Sequence, residues 1–277
     1  MTTWKSFLTR ATSAIVALAI IFALYYFLQI AGLKIIIALA VAIGAWELLG
    51  ILFHTESSKL LKGAFWTLSV LVFLISTMAL NLGAVTFSIA LIILCIISLL
   101  VLHKSGDLQR MAKFQAHSAL GLLYVGLLPS FAFRLLDQTQ GLSWFIYLLA
   151  VVFAGDTMAY IFGVLIGKNK VMPMVSPKKT WEGSVGGIIG SLIAGFLCWK
   201  FLLVDYSVVF VLILSALSGF VAQFGDFFES LLKRVADVKD SGKIMPGHGG
   251  VLDRVDGVLF ASPVVLFGVV IVSHLLS

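Results

Sequence analysis

The chain has 277 residues, of which 61% are hydrophobic and only 12% charged, against roughly 25% charged in an ordinary soluble domain. A water-soluble fold of this size could not bury so much apolar side chain. Soluble, disordered, collagenous and coiled-coil classes are therefore excluded, and the net charge of +6 is read as orientation information for a bilayer, with no nucleic-acid partner expected.

Apolar runs fall at about 13–30, 33–53, 64–80, 84–102, 117–136, 143–166, 184–204, 207–231 and 251–275. Each has roughly 17–25 residues, enough to cross a hydrocarbon core about 30 Å thick as a helix. The runs are continuous and do not alternate with period two, which favours helices over a barrel. The expected fold is an all-α polytopic transmembrane bundle of about nine spanning helices. The first run ends in Tyr25, Tyr26, Phe27 and Leu28, too bulky for a signal-peptide cleavage site, so it reads as a retained helix. Cys95 and Cys198 each stand alone in an apolar run and read as small buried hydrophobes.

The loops carry the orientation. With the N-terminus in the cytoplasm, 16 lysines and arginines lie on the inner side, and only Lys34, Arg134 and Lys200 lie near the other. That asymmetry predicts a cytoplasmic N-terminus and, after nine spans, a C-terminus outside. Residues 1–140 form a bland five-helix region. Residues 141–277 form a four-helix region that is far more polar, since 9 of the 13 acidic residues lie between Asp156 and Asp256.

Charged side chains inside spans cost about 2.5–3.5 kcal/mol each, so those present call for a reason. Glu47, in the second span, reads as a packed or cavity-facing acid. His54, His103, His117 and His274 sit at span edges. Asp156 lies roughly 15 Å from the inner end of its span and reads as an acid lining a polar cavity. In the stretch Ser176-Pro177-Lys178-Lys179-Thr180-Trp181-Glu182-Gly183, Ser176 is the expected N-cap and Pro177 the expected first helical residue. A helix N-terminus with two lysines suits a polyphosphate. Gly183 with Gly187, and Gly186 with Gly190, have the spacing of close helix packing, within or between subunits.

Asp226 and Glu229 share one helix face, and Asp253 and Asp256 repeat that spacing on the next helix. Such clustered carboxylates repel, and a hard divalent cation of the magnesium type resolves the repulsion. Salt bridges to Lys233, Arg234 or Arg254 are the structural alternative. Between the two pairs, Lys239-Asp240 leads to Pro246-Gly247-His248-Gly249-Gly250, a glycine density that lets backbone amides approach a phosphate or makes a tight helix entry. His248 could be a ligand, an acid–base group or a structural hydrogen bonder.

The run Ser230-Leu-Leu-Lys233-Arg234, Lys239-Asp240, Pro246-Gly-His248-Gly249-Gly250 and Asp253-Arg254-Val-Asp256 resembles the signature of the phosphatidate cytidylyltransferases (CDP-diacylglycerol synthases), bacterial type. Asp156-Thr157 with Ala159-Tyr160, and the Ser-Pro-Lys-Lys-Thr-Trp-Glu-Gly stretch, are similar to that family too; Met245 replaces a smaller aliphatic. The resemblance places the signature at 230–256 and makes 141–277 the catalytic region. It implies transfer of a cytidylyl group from CTP to phosphatidic acid at the inner (cytoplasmic) membrane, with magnesium, and it suggests a second cation and a homodimer. On that reading Asp226 and Asp253 are the first choices for metal ligands, with Asp256 and Asp156 next. Lys239 and Arg254 join Asp226 and Asp253 as catalytic groups. Ser176, Lys178, Lys179, Thr180, Lys233, Arg234, His248, Gly249 and Gly250 bind substrate. The alternatives are a CTP-dependent polyprenol or phytol kinase and, in another class, an ion-coupled membrane transporter.

Overall fold

The computed structural model describes residues 3–103, 106–245, 247 and 249–276. All regular structure among them is helical: α1 (Thr3–Leu28), α2 (Ile30–Leu52), α3 (Lys59–Met78), α4 (Leu80–Leu102), α5 (Leu108–Gly121), a π-helical stretch (Leu122–Leu127), α6 (Leu128–Leu135), α7 (Gly141–Leu165), α8 (Trp181–Leu202), α9 (Val208–Val235) and α10 (Leu252–Leu276). Eight segments among the described residues are long and apolar enough to cross a membrane, the continuous Leu108–Leu135 counting as one. The expected run 13–30 falls in α1, whose described apolar part is the shorter Ala19–Leu28. The chain is thus the all-helical, polytopic protein that its hydropathy predicts.

The chain divides into two compact units: Met1–Phe133 with Ala236–Arg254, and Arg134–Val235 with Val255–Ser277. In the first, Phe53 packs at a tilt against Phe65 and Phe114 with ring centroids 4.9 Å from each, and Trp66 donates its indole N–H to the Ala42 carbonyl at 2.9 Å. The helix expected over 117–136 starts nine residues earlier. Asp107 accepts from the Arg110 amide at 2.9 Å, and this cap lets the polar turns from Leu108 join the helix. Hydropathy registers only the apolar remainder. The segment Ala236–Arg254, far along the chain, belongs to this unit.

The second unit is built on backbone approach. On α8, Gly183, Gly186, Gly187 and Gly190 are buried. A β-carbon at Gly183 would lie 2.8 Å from the Ala159 carbonyl of α7, and one at Gly190 would lie 2.6 Å from that of Ala154. The glycine spacing therefore serves packing within the chain. Ser191 fills the next gap, donating to the Val151 carbonyl at 3.0 Å. Between α7 and α9, the fully buried Tyr147 of α7 donates to the Val211 carbonyl of α9 at 3.1 Å. At Gly225 of α9 an added β-carbon would strike the Asp256 backbone of α10.

Candidate functional site

Between α7 and α8 the chain makes a loop, Ile166–Thr180, that carries four lysines. The sequence reading begins the following helix at Ser176-Pro177. The structure corrects this: α8 begins at Trp181, and Thr180 is its N-cap, accepting from the Gly183 amide at 3.1 Å. The reason lies one residue into the helix. Glu182 reaches back to accept from the Lys168 amide at 3.1 Å, the Asn169 amide at 3.2 Å and the Asn169 side chain at 2.7 Å. A carboxylate in the first turn also suits the helix dipole. The Trp181 amide donates to the Asn169 carbonyl at 2.9 Å, and the Val171 amide to the Lys179 carbonyl at 3.2 Å. The loop is thus folded back on itself, and the Ser-Pro-Lys-Lys residues lie on it, ahead of the helix.

This fold-back places the lysines at a cavity of about 410 Å³ within the second unit. Lys170, Lys178 and Lys179 line it from the loop, Asp156 and Tyr160 from α7, Thr180 and Ser184 from the start of α8, and Gln223 and Asp226 from α9. Lys179 lies with its ammonium 2.5 Å from Asp226 Oδ2 and 4.1 Å from the centre of the Phe227 ring. Ser230 donates to the other Asp226 oxygen at 3.4 Å. Gln223 donates to the Ser184 carbonyl at 3.0 Å, which fixes one wall. Gln223, Tyr160 and Lys170 are lining residues that spacing alone does not single out.

The remaining expected residues divide between the units. In the second, Glu229 is 1% exposed and pairs with Lys233 one turn away at 2.7 Å, so this acid of the cluster takes the salt-bridge alternative. Arg234 donates to the Val175 carbonyl of the lysine loop at 3.4 Å. Asp256 Oδ1 accepts from the Gly257 amide at 2.9 Å, and the carboxylates of Asp156, Asp226 and Asp256 lie near enough for their charges to interact. Ser176 lies on the loop, its amide donating to the Met172 carbonyl at 2.9 Å.

In the first unit, Asp253 Oδ2 accepts from the Ser241 amide at 2.9 Å, the Ser241 hydroxyl at 3.0 Å and the Gly250 amide at 2.8 Å. Gly249 sits at φ +82°, where only glycine is relaxed, and its carbonyl accepts from the Met245 amide at 3.0 Å. Lys239 and Arg254 are exposed. His248 lies outside the described residues.

The donor chemistry fits a hard cation. The cavity offers carboxylate oxygens, with no thiol or imidazole in its lining. Among the described residues no three His, Cys, Asp or Glu side chains gather as a ready-made cage. Magnesium is commonly held by one or two carboxylates, with phosphate oxygens and water completing its shell, and Asp226 and Asp156 could supply that share.

Residues 8–272 match the model of a family described as the Cytidylyltransferase family. Among curated proteins, the chain is 41% identical over 148 residues to a phosphatidate cytidylyltransferase of Staphylococcus saprophyticus. It is 40% identical to one of Staphylococcus haemolyticus and 39% identical to one of Staphylococcus aureus over the same length. Each match spans 53% of this chain and 56% of the relative, so the chain covers little more than half the length of these relatives.

Proposed function

The chain belongs to the cytidylyltransferase family, and from that premise we propose that it transfers the cytidylyl group of CTP to phosphatidic acid, giving CDP-diacylglycerol and pyrophosphate. The observation that carries this reading is the cavity of the second unit, where three lysines and two carboxylates meet among apolar helices. A lipid phosphate and a nucleotide triphosphate are both polyanions. A site joining them needs fixed cations to hold both, at the level of a membrane.

A phosphatidate oxygen attacks the α-phosphorus of CTP. The bond from that phosphorus to the oxygen bridging it to the β-phosphate breaks in line, and pyrophosphate leaves with the electron pair. The attacking phosphate is already ionised at neutral pH, so no strong general base is required. Lys178 and Lys179 hold phosphate oxygens and offset the charge of the leaving group. Lys179 can do so by exchanging its Asp226 partner for a phosphate, which leaves the Asp226 carboxylate available. Asp226, with Asp156 or Asp256, would hold a magnesium ion, which would supply charge neutralisation at the CTP phosphates; Asp253, the other first-choice ligand, lies in the first unit, where its Oδ2 accepts from Ser241 and Gly250. Ser184, Thr180 and Gln223 shape the wall and fix its polar atoms.

The lysine distribution supports an orientation with the N-terminus and the lysine loop in the cytoplasm, where CTP is, and hence a place in the cytoplasmic membrane. The reaction is tested by following pyrophosphate released from CTP by purified protein. Release only when both phosphatidic acid and a divalent cation are present is expected. Release of CDP with phosphorylation of a polyprenol would replace the reading with a kinase, and no CTP turnover with either acceptor would overturn it.

A further inference from the structure

Glu47 sits on α2 only 5% exposed, in a helix otherwise made of apolar and small residues and one lysine. Its partners lie about 200 positions away in the chain. Oε1 accepts from the Val251 amide at 3.0 Å, and Oε2 accepts from the Leu252 amide at 3.0 Å and the Ser241 hydroxyl at 3.1 Å. Val251 and Leu252 are where α10 starts, so this carboxylate caps α10 from another helix. It satisfies amides that a helix leaves unpaired, at the end where the dipole favours a negative charge.

The surroundings are cut to fit it. A β-carbon on Gly242 or on Gly250 would collide with the Glu47 carboxylate. Ser241 links Glu47 to Asp253, so the two acids and one hydroxyl hold both ends of Ser241–Asp253. A satisfied buried acid need not involve two glycines, a serine and a helix start at once.

We infer that Glu47 is a positioning residue: it fixes the segment Lys239–Arg254 and the start of α10, and through them the side chains that α10 carries to the reaction. The inference rests on the proposed cytidylyl transfer for its activity readout, and amide exchange tests the anchoring separately. Glu47→Gln keeps the size but sets an amide –NH2 group against donors. Full-length protein in detergent should keep its melting temperature and its exchange pattern in α3, α4 and α7–α9. Exchange at 239–252 should accelerate at least tenfold. Under saturating CTP and phosphatidic acid, kcat should fall on the order of 10- to 100-fold, as small misplacements near a reacting centre do, with KM for CTP changed less than threefold. Ser241→Ala, which removes one of the bonds and no charge, should shift both readouts the same way by a smaller factor, and it decides the matter should Glu47→Gln fail to fold. Unchanged exchange in the folded variant overturns the anchoring. Faster exchange with normal kcat overturns the positioning role. A wild-type protein with no pyrophosphate release would refute the reaction while leaving the anchoring to be judged by exchange.

Discussion

Two acids of the first unit and two of the second are held in opposite ways. In the first, Glu47 and Asp253 accept from backbone amides and a serine hydroxyl, neutral donors fixed to the chain. In the second, Asp226 and Glu229 are met by lysines. An amide donor cannot leave without unfolding its loop, so the carboxylate oxygen it satisfies is held in place by the backbone. A lysine swings on a flexible stem and can be exchanged for another cation or drawn away by an anion. The same residue type is therefore tied to the backbone in one pair and to a side-chain cation in the other.

The largest test of that contrast pairs Asp226→Asn with Asp253→Asn. Loss of the Asp226 charge should lower turnover by on the order of 100-fold or more, partly recovered by excess magnesium. Asp253→Asn should lower turnover too, but together with faster exchange at 239–252 and without magnesium recovery. If both variants respond alike to magnesium, the distinction fails. Next in size, Lys179→Met keeps an apolar stem of similar length but removes the charge, and with it the Asp226 pairing and the cation–π contact with Phe227. It should raise KM for CTP or lower kcat by roughly tenfold, one charge-assisted contact's share, while exchange at 239–252 stays as in wild type. Normal kinetics would make the Lys179–Asp226 pair purely structural.

The smallest effect concerns an ion pair that mixes the two styles. Glu56, in the turn before α3, is held by Arg110 at 2.7 Å and by the Ser58 amide at 2.8 Å. Burial works against its charge, but the Arg110 side chain and the Ser58 and Ser57 amides outweigh it and hold the carboxyl below its ordinary value. A lowered folded-state pKa contributes stability that is present above the unfolded value, near 4.5, and is lost as pH falls through the folded one. Glu56→Gln should therefore melt slightly earlier than wild type at pH 7. The gap should close toward pH 3, as read by thermal unfolding in detergent.

Much of this was legible in the sequence. Continuous apolar runs foretell the apolar part of each helix but not its polar first turns, and the small-xxx-small spacing foretells close helix packing without saying that its partner is α7. Asp156 is recognisable as charge placed inside a span, where charge is costly, and the lysines of the 168–179 stretch by their density in one short loop. What escapes is whatever depends on distant partners. Ser176 and Thr180 are both good caps by type, and the reach of Glu182 back to Lys168 and Asn169 decides between them. Glu47 reads as a lone packed acid, because nothing local shows that Ser241, Val251 and Leu252 converge on it. Its signal was present in part: a single acid within an otherwise apolar run needs donors from somewhere.

The glycines sort into two kinds when viewed through the lens of inheritable change. Every missense substitution at a glycine adds a β-carbon, so at Gly183 and Gly190, which meet the α7 backbone itself, alanine is already as intolerable in kind as leucine. At Gly50 and Gly63 an added β-carbon meets nothing within 4 Å. A saturation scan should therefore show the first two as columns empty of survivors, including the mildest replacement, and the other two as columns that accept alanine and other uncharged, non-proline residues. No graded scale of residue similarity would separate those columns. The distance to the next backbone does.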